Sequence, residues 1–393
     1  MISRIAVDTF LFVSFWGIFM NFGLFSSTSL LGFVAMMFLF VRYGLFWNSP
    51  WWAKLIVFLI CMGLGVLPQI ATYRFESGWG ELFPYVCNVV SLVYMTAIIL
   101  ATITVMRDAV WVVLYWCGVC PSPFSVHWVM RANVLTLIVA CMMGGYALYA
   151  GLRVPVVRTV EISSPKIHTE YTIVALPDLH LQRVTSVARV QKIVDVVNAQ
   201  TPDVILLVGD TIDDTPERLG GALRALGGMV APYGVFFVTG NHETYLGYDM
   251  SVDVLSASGF KLLENSGTEI TPDLYIGGIP DIHSSRYSGR HYDLTKTFAG
   301  ARDGQFRLLV SHTPNSFADN IFDFEIAGHT HGGQIIPIIF LMYLYTPFLA
   351  GEYDLDGGAR LYVSRGVAQG GPQMRLFAPS EITVIKLKPA QGR

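Results

Sequence analysis

Histidines and acidic residues recur in five short polar blocks in the second half of the chain. The blocks are "DLH" (178–180), "GD" (209–210), "GNHE" (240–243), "SH" (311–312) and "GHTH" (328–331). In the first and last blocks, two ligand-type residues stand two positions apart, so their side chains point the same way in an extended chain. Imidazole, carboxylate and amide groups without a thiolate suit borderline divalent ions such as Mn, Fe or Zn. Together the blocks predict a metal site.

Each block ends a short apolar run, and such runs are typical of buried strands. The runs cover residues 171–180, 203–210, 234–243, 306–312 and 324–331, with helical spacing at 185–200 and 216–226. This alternation predicts an α/β layer architecture, in which sites collect beyond the carboxyl ends of the strands. Two late segments, 359–366 and 381–389, alternate apolar and polar residues more clearly and predict a second, antiparallel sheet.

The composition divides the chain into two parts. Hydrophobic residues make up 53% of the 393 residues and charged residues only 14%, against about 25% charged in soluble proteins. Residues 1–151 hold six of the 26 Lys and Arg and four of the 29 Asp and Glu. We therefore expect an all-α transmembrane region over 1–151 and a polar domain over 152–393. The excess of acidic residues in the polar domain gives no reason to expect a nucleic-acid partner.

About five membrane spans are predicted before the polar domain. The candidate spans are residues 5–25, 30–47, 53–71, 85–106 and 133–151. Residues 109–120 are too short to cross alone, and they either extend the fourth span or lie along the interface. With five spans, Arg42, Lys54 and Arg107 fall at cytoplasmic ends, which predicts an integral membrane protein with residues 152–393 on the extracytoplasmic side. Four spans would reverse this orientation.

In their order, the five blocks resemble the signature of the calcineurin-like metallophosphoesterase family. The later "GGQ", "LYVSRG" and "PQMRLF" are similar to its membrane-associated bacterial branch, which includes YkuE-type and YaeI-type phosphodiesterases and a lipid A pathway pyrophosphatase. The resemblance covers most of residues 155–390. It implies an α/β fold, a two-sheet metallophosphoesterase sandwich flanked by helices, here preceded by the all-α transmembrane bundle. It also implies a bacterial inner membrane as the location.

The resemblance further implies roles for the residues in the blocks. One metal ion would be held by Asp178, His180, Asp210 and His331, and a second by Asp210, Asn241, His312 and His329. His242 would steady the phosphoryl oxygens or protonate the leaving group, with Glu243 as the candidate partner that orients its ring. Two divalent ions, expected to be Mn, Fe or Zn, would activate a water as hydroxide for in-line attack at phosphorus. Asp213 and Asp214, which follow Asp210 closely, either support the metal ligands from outside or form a solvated turn, and the turn is the favoured interpretation.

An uncharged run, "IIPIIFLMYLYTPFLA" at residues 335–350, follows the last block. It is too short to span a bilayer, and it is either a buried core segment or a loop in the membrane interface, with Tyr343 and Tyr345 at headgroup depth. The second option favours a membrane-anchored hydrolase of a lipid-linked phosphoester or pyrophosphate. Two alternatives stay open: a phosphodiesterase for a soluble substrate, tethered by its membrane region, and a transporter or sensor that binds a phosphorylated ligand without turnover. The sequence does not indicate an oligomeric state.

Overall fold

The computed structural model describes residues 27–45, 50–73, 83–123, 125–317 and 320–390. The chain divides into two compact units, Met1–Gly145 and Tyr146–Arg393. The described part of the first unit is helical. Its elements are α1 (Ser27–Leu39), a π-helical segment (Phe40–Leu45), α2 (Trp51–Tyr73), α3 (Phe83–Trp116) and most of α4 (Val126–Leu152), whose last two turns belong to the second unit.

Helices α3 and α4 are apolar on all sides, a pattern expected of helices in a large core or a membrane. Within the described ranges, the helices long and apolar enough to cross a membrane are Tyr85–Trp116 and Val126–Leu152, and shorter apolar ones are Gly32–Gly44 and Trp51–Gly63. Helix α3 continues to Trp116, so the segment after residue 108 extends the fourth predicted span. The first predicted span, residues 5–25, lies outside the described residues, and the number of spans stays a prediction.

Three charged side chains of the first unit are paired with one another. Asp108 in α3 accepts hydrogen bonds from Arg42 at 2.6 Å and from its neighbour Arg107 at 2.7 Å. The Arg107 guanidinium also donates to the hydroxyl of Thr136 in α4, 2.8 Å away. A charge removed from water needs such partners. These hydrogen bonds link the π-helical segment, α3 and α4, which gives the three charged side chains a structural role.

The second unit contains two six-stranded sheets. Its strands are β1 (Val156–Ser164), β2 (Tyr171–Leu176), β3 (Val204–Val208), β4 (Val235–Val238), β5 (Lys261–Leu262), β6 (Ser266–Thr271), β7 (Leu274–Gly278), β8 (Phe306–Val310), β9 (Phe324–Ala327), β10 (Gly351–Asp354), β11 (Arg360–Val363) and β12 (Glu381–Pro389). The first sheet has the order β1-β12-β2-β3-β4-β5 and the second has the order β10-β11-β9-β8-β7-β6. Strands β2, β3 and β4 are parallel to one another, as are β7, β8, β9 and β11.

The second unit also contains α-helices, and those between β2 and β5 pack against the outer face of the first sheet. The helices are α5 (Val187–Asn198), α6 (Pro216–Leu226), α7 (Asn241–Ala257), the short α8 (Ser285–Ser288) and α9 (Leu294–Thr297), and α10 (Ile338–Tyr345). In β2, Ile173 and Ala175 pack in the layer shared with the second sheet, whereas Val174 and Leu176 pack against α5 and α6. Both faces of the strand are therefore buried, which explains its continuously apolar sequence and confirms the predicted α/β sandwich.

The two late alternating segments do not form a sheet of their own. Strand β11 lies in the second sheet, parallel to β9 and antiparallel to β10. Strand β12 lies in the first sheet, parallel to β1 and antiparallel to β2. The prediction of one antiparallel sheet from both segments was wrong because alternation shows that a strand has two unlike faces but does not specify its neighbours.

Candidate metal centre

The five polar blocks lie at the carboxyl ends of five strands. The residues in these positions are Asp178 and His180 after β2, Asp210 after β3, Asn241 and His242 after β4, His312 after β8, and His329 and His331 after β9. Their ligand atoms form three groups, each within 4.8 Å, namely Asp178 with His180 and His331, His180 with Asp210 and His242, and Asp210 with His312 and His329. Side chains from both sheets therefore meet in one cluster.

Asp210 stands between the two halves of this cluster. Its Oδ2 lies 3.2 Å from Nε2 of His312 and 3.7 Å from Nε2 of His180. On one side, Nε2 of His180 is 3.0 Å from Nε2 of His331. On the other side, Nε2 of His312 is 3.3 Å from Nδ1 of His329. Since a neutral imidazole presents a nitrogen lone pair, each facing pair can share a cation, and the carboxylate can bridge the two positions.

Five residues of the cluster have a left-handed backbone. The φ angle is 56° at Asp178, 42° at His180, 49° at Asp210, 68° at His329 and 51° at His331. This conformation is uncommon for residues other than glycine and costs on the order of 1–3 kcal/mol each. The surrounding fold must hold these residues in place, and strain gathered at one cluster is typical of a functional site.

The donor set fits divalent cations. The buried amide oxygen of Asn241 has no hydrogen-bond partner among the described residues, so it is available as an oxygen ligand. Burial, together with the charges of His180 and Arg375, lowers the pKa of His331 well below its usual range. Burial and the charge of His312 lower the pKa of His329 to about 4. Both rings are therefore neutral at pH 7, which is the form that binds metal.

Asp213 belongs to the cluster, although the sequence interpretation placed it in a solvated turn. Its carboxylate lies 2.9 Å from Nδ1 of His180 and 2.9 Å from Nδ1 of His242. A carboxylate on Nδ1 fixes the tautomer of a histidine and leaves Nε2 to face the site. Burial lowers the pKa of His242, but the hydrogen bond to Asp213 and the charges of Asp210 and Asp213 outweigh it and raise the pKa to about 9. The feature of the sequence that could have indicated this role is the position of Asp213, three residues after Asp210 in the same loop.

Glu243 does not orient the ring of His242, contrary to the expectation from the sequence. Its buried carboxylate accepts hydrogen bonds from the backbone N–H groups of Gly240 (2.7 Å), Asp210 (3.0 Å), Thr211 (2.7 Å) and Ile212 (3.1 Å). These bonds fasten the loop after β3 to the first turn of α7. The partner of the His242 ring is Asp213, and Glu243 acts on the site only through the backbone that carries Asp210.

A buried arginine supports the turn that carries His331. The side chain of Arg375 is 1% exposed, and its Nη2 lies 3.2 Å from Nδ1 of His331. The guanidinium donates to the carbonyls of His331 (2.9 Å), Arg365 (2.6 Å), Ala378 (3.2 Å) and Ala368. The backbone N–H of Arg375 donates to the carbonyl of Ala147 in the last turns of α4, 2.9 Å away. Arg375 lies in the family-like segment "PQMRLF", but no role could be assigned to it from the sequence, because it stands 44 residues after His331.

One histidine outside the predicted set also reaches the cluster. The ring centre of His283 lies 5.0 Å from that of His329. A nearby cation is engaged elsewhere, because Arg290 pairs with Glu264 at 2.8 Å and lies over the ring of Tyr248. The loop between β7 and α9 therefore brings an imidazole, but not the charge of Arg290, to the rim of the site.

Comparison with known proteins agrees with this geometry. The profile of the family described as calcineurin-like phosphoesterase matches residues 171–333. An uncharacterized metallophosphoesterase of Campylobacter jejuni is 34% identical over 259 residues, which are 65% of this chain and 69% of that protein. A Danio rerio transmembrane protein with metallophosphoesterase domain is 32% identical over 277 residues, 66% of this chain and 63% of that protein, slightly under two thirds of its length. The uncharacterized metallophosphoesterase YkuE of Bacillus subtilis is 28% identical over 266 residues, 62% of this chain and 90% of that protein. The chain belongs to the calcineurin-like family of metal-dependent phosphoesterases.

Proposed function

We propose that the chain is a membrane-anchored hydrolase of phosphoester or pyrophosphate bonds, which uses two divalent ions and acts on a lipid-linked substrate. The observation that carries this proposal is the position of Asp210, whose Oδ2 faces His180 on one side and His312 on the other. The first ion is assigned to Asp178, His180, Asp210 and His331, and the second to Asp210, Asn241, His312 and His329. The donor types favour Mn, Fe or Zn.

The mechanism follows from what each residue can do at the cluster. Two divalent ions, when bound, supply a water activated near neutral pH and a clamp on the phosphoryl oxygens. The His242 side chain is 34% exposed, whereas those of His180 and Asp210 are buried, so His242 is more open to a substrate than either of them. Asp213 binds its Nδ1 and raises its pKa, which leaves a proton on Nε2. His242 is therefore suited to protonate the leaving oxygen or to donate a hydrogen bond to the phosphoryl group.

Anchoring in a membrane is supported by the composition of α3 and α4, both long and apolar enough to cross a bilayer. With five spans, residues 152–393 lie on the extracytoplasmic side of a bacterial inner membrane. Alkaline phosphatase fused after residue 151 and expressed in a bacterium is active only outside the cytoplasm. An active fusion would support this orientation, and an inactive one would reverse it.

Hydrolysis of an aryl phosphodiester in the presence of Mn tests the enzymatic claim. We expect turnover by the intact chain and a loss of about 10²–10⁴-fold in His242→Ala, the usual contribution of a general acid. His168→Ala is the matched control, because His168 is 79% exposed and precedes β2, at the other end of the sheet. Turnover lost only in His242→Ala contradicts a non-catalytic sensor or transporter, whereas an inactive wild-type chain that binds metal would favour one.

A second assay separates a lipid-linked substrate from a soluble one. Detergent-solubilised lipid pyrophosphates are compared with nucleotides, and the length of the acyl chain is varied. We expect the rate to rise with acyl length at a constant phosphate group, since the apolar tail adds binding energy. Equal rates with and without an acyl chain would contradict the lipid claim and favour a phosphodiesterase for soluble substrates.

A further inference from the structure

An apolar helix follows directly on the turn that carries His329 and His331. Helix α10 has the sequence IIFLMYLY, and none of its residues is buried. Leu344 is 86% exposed and Tyr345 is 70% exposed. The buried-core option for residues 335–350 therefore holds only at the ends, where Ile335 and Leu349 are buried. A continuous exposed apolar surface of this kind marks a site of contact with a partner or a membrane.

The helix is fixed to the turn at both of its ends. Before it, the carbonyl of Gln334 accepts a hydrogen bond from the backbone N–H of Leu376 at 2.9 Å. After it, the carbonyl of Leu349 accepts from the hydroxyl of Thr330 at 2.6 Å, and Thr330 stands between the two histidines. The position of α10 is therefore set by the turn that belongs to the metal cluster.

The same region contacts the carboxyl end of α4. The side chain of Gln334 donates to the carbonyl of Pro372 at 3.1 Å, and the N–H of Arg375 donates to the carbonyl of Ala147 at 2.9 Å. Residues 372–376 thus join the start of α10 to the last turns of α4. Helix α4 is long and apolar enough to cross a bilayer, and in a chain that α4 anchors in this way, its carboxyl end would lie at the membrane surface.

Exposed tyrosines occur on both helices. Tyr146 and Tyr149 are exposed in the last turns of α4, and Tyr343 and Tyr345 are exposed in α10. Tyrosine is enriched at the boundary between lipid and water, where its ring is buried and its hydroxyl stays hydrated. Helix α10 carries no charge that would oppose transfer into that boundary.

We propose that α10 lies in the membrane interface and holds the metal cluster at the level of the lipid headgroups. The partner is the bilayer that α4 enters, and the substrate class is a phosphate ester or pyrophosphate borne on a lipid. The proposal rests on the proposed function, since it assumes that α4 spans the membrane and that the cluster hydrolyses phosphate bonds. It adds the surface by which the site meets its substrate.

The depth of α10 is measured directly with a fluorophore that reports its environment. A nitrobenzoxadiazole label is placed on Leu344→Cys in the intact chain, whose five cysteines, all before residue 146, are replaced by serine. In vesicles of phosphatidylcholine and phosphatidylglycerol we expect blue-shifted emission that brominated acyl chains quench. Val230→Cys is the control, because Val230 is 69% exposed in the loop before β4, at the amino ends of the parallel strands, whereas the metal cluster lies at their carboxyl ends. Its label should report water.

Water-like emission from residue 344 in vesicles would overturn the proposal. A blue shift that brominated lipids do not quench would also overturn it, because it would identify a protein as the occupant of this surface. One titration with brominated lipid, in which the emission wavelength and the quenching are both recorded, distinguishes these two outcomes from insertion.

Activity provides the second arm, with two esters that differ only in their alkyl group. They are p-nitrophenyl hexadecyl phosphate in vesicles and p-nitrophenyl methyl phosphate in solution. In Leu344→Glu we expect the ratio of the two rates to fall about tenfold, since burying a leucine side chain accounts for at least that factor. Val230→Glu should keep the wild-type ratio. No hydrolysis of either ester by the wild-type chain would refute the proposed function, whereas hydrolysis with an unchanged ratio in Leu344→Glu would refute only the position of α10.

Discussion

Replacing Arg375 by methionine should loosen the turn that holds His331. The guanidinium donates to the carbonyls of Arg365, Ala368 and Ala378. No other hydrogen bond to these three oxygens occurs among the described residues. A buried polar group left without a partner costs about 1–3 kcal/mol, so the three together cost about 3 kcal/mol at the low end. In a unit of this size, each kcal/mol lowers the melting temperature by about 2–4 °C, and we expect a fall of about 6–12 °C.

The assay combines thermal unfolding of the intact chain in detergent with its metal content by mass spectrometry. Arg375→Met should melt early and lose the ion that we assign to His331. The matched control is Arg302→Met, because Arg302 is 58% exposed and pairs with Glu269 at the surface, an interaction worth about 0–1 kcal/mol. Equal melting temperatures for the two variants, with full metal content in both, would refute this account of Arg375.

Three further changes test other parts of the site and fold. Asp213→Asn should lower the pKa of His242 in the metal-free protein by roughly 1–3 units, measured by NMR of the imidazole, and an unchanged pKa would contradict their pairing. Glu243→Gln turns an amide group towards four backbone donors and should cost about 2 kcal/mol or more in thermal stability; a neutral effect would contradict the fastening role. Burial raises the pKa of Asp273, but hydrogen bonds from Tyr171 and Thr271 outweigh it and hold the pKa below its usual value. The Asp273 carboxylate therefore stabilises the fold above pH about 4, and this stabilisation is lost as the pH falls through the lowered pKa. The difference in unfolding free energy between the wild type and Asp273→Asn should shrink in acid, and a constant difference would contradict the prediction.

The strand ends could be predicted because the information is local. An apolar run followed by Asp178 and His180 specifies both a buried strand and ligand-type residues at its end, and the same holds for Asp210 after β3. Since parallel strands place their carboxyl ends along one edge, the meeting of these residues follows from the fold class. The position of β12 between β1 and β2 could not be predicted from local sequence, because it depends on contacts across the whole second unit.

The supporting residues could not be predicted for a physical reason. Arg375 contacts His331 from a position 44 residues later in the chain, and no spacing rule in the sequence connects the two. Asp213 follows Asp210 in the same loop, but aspartate is common both in solvated turns and as a partner of histidine. Its residue type alone therefore did not distinguish the two roles. The run at 335–350 showed an unusual composition, yet composition does not distinguish a buried segment from the exposed helix α10.

Metal content tests the central claim most directly, because the proposed function depends on two cations bridged by Asp210. The intact chain is purified, stripped with a chelator, reloaded with Mn and dialysed, and its bound metal is measured against protein. We predict two ions per chain in the wild type and fewer than one in Asp210→Ala. Less than one ion in the wild type, or two ions retained by an Asp210→Ala chain that still unfolds cooperatively, would contradict the account.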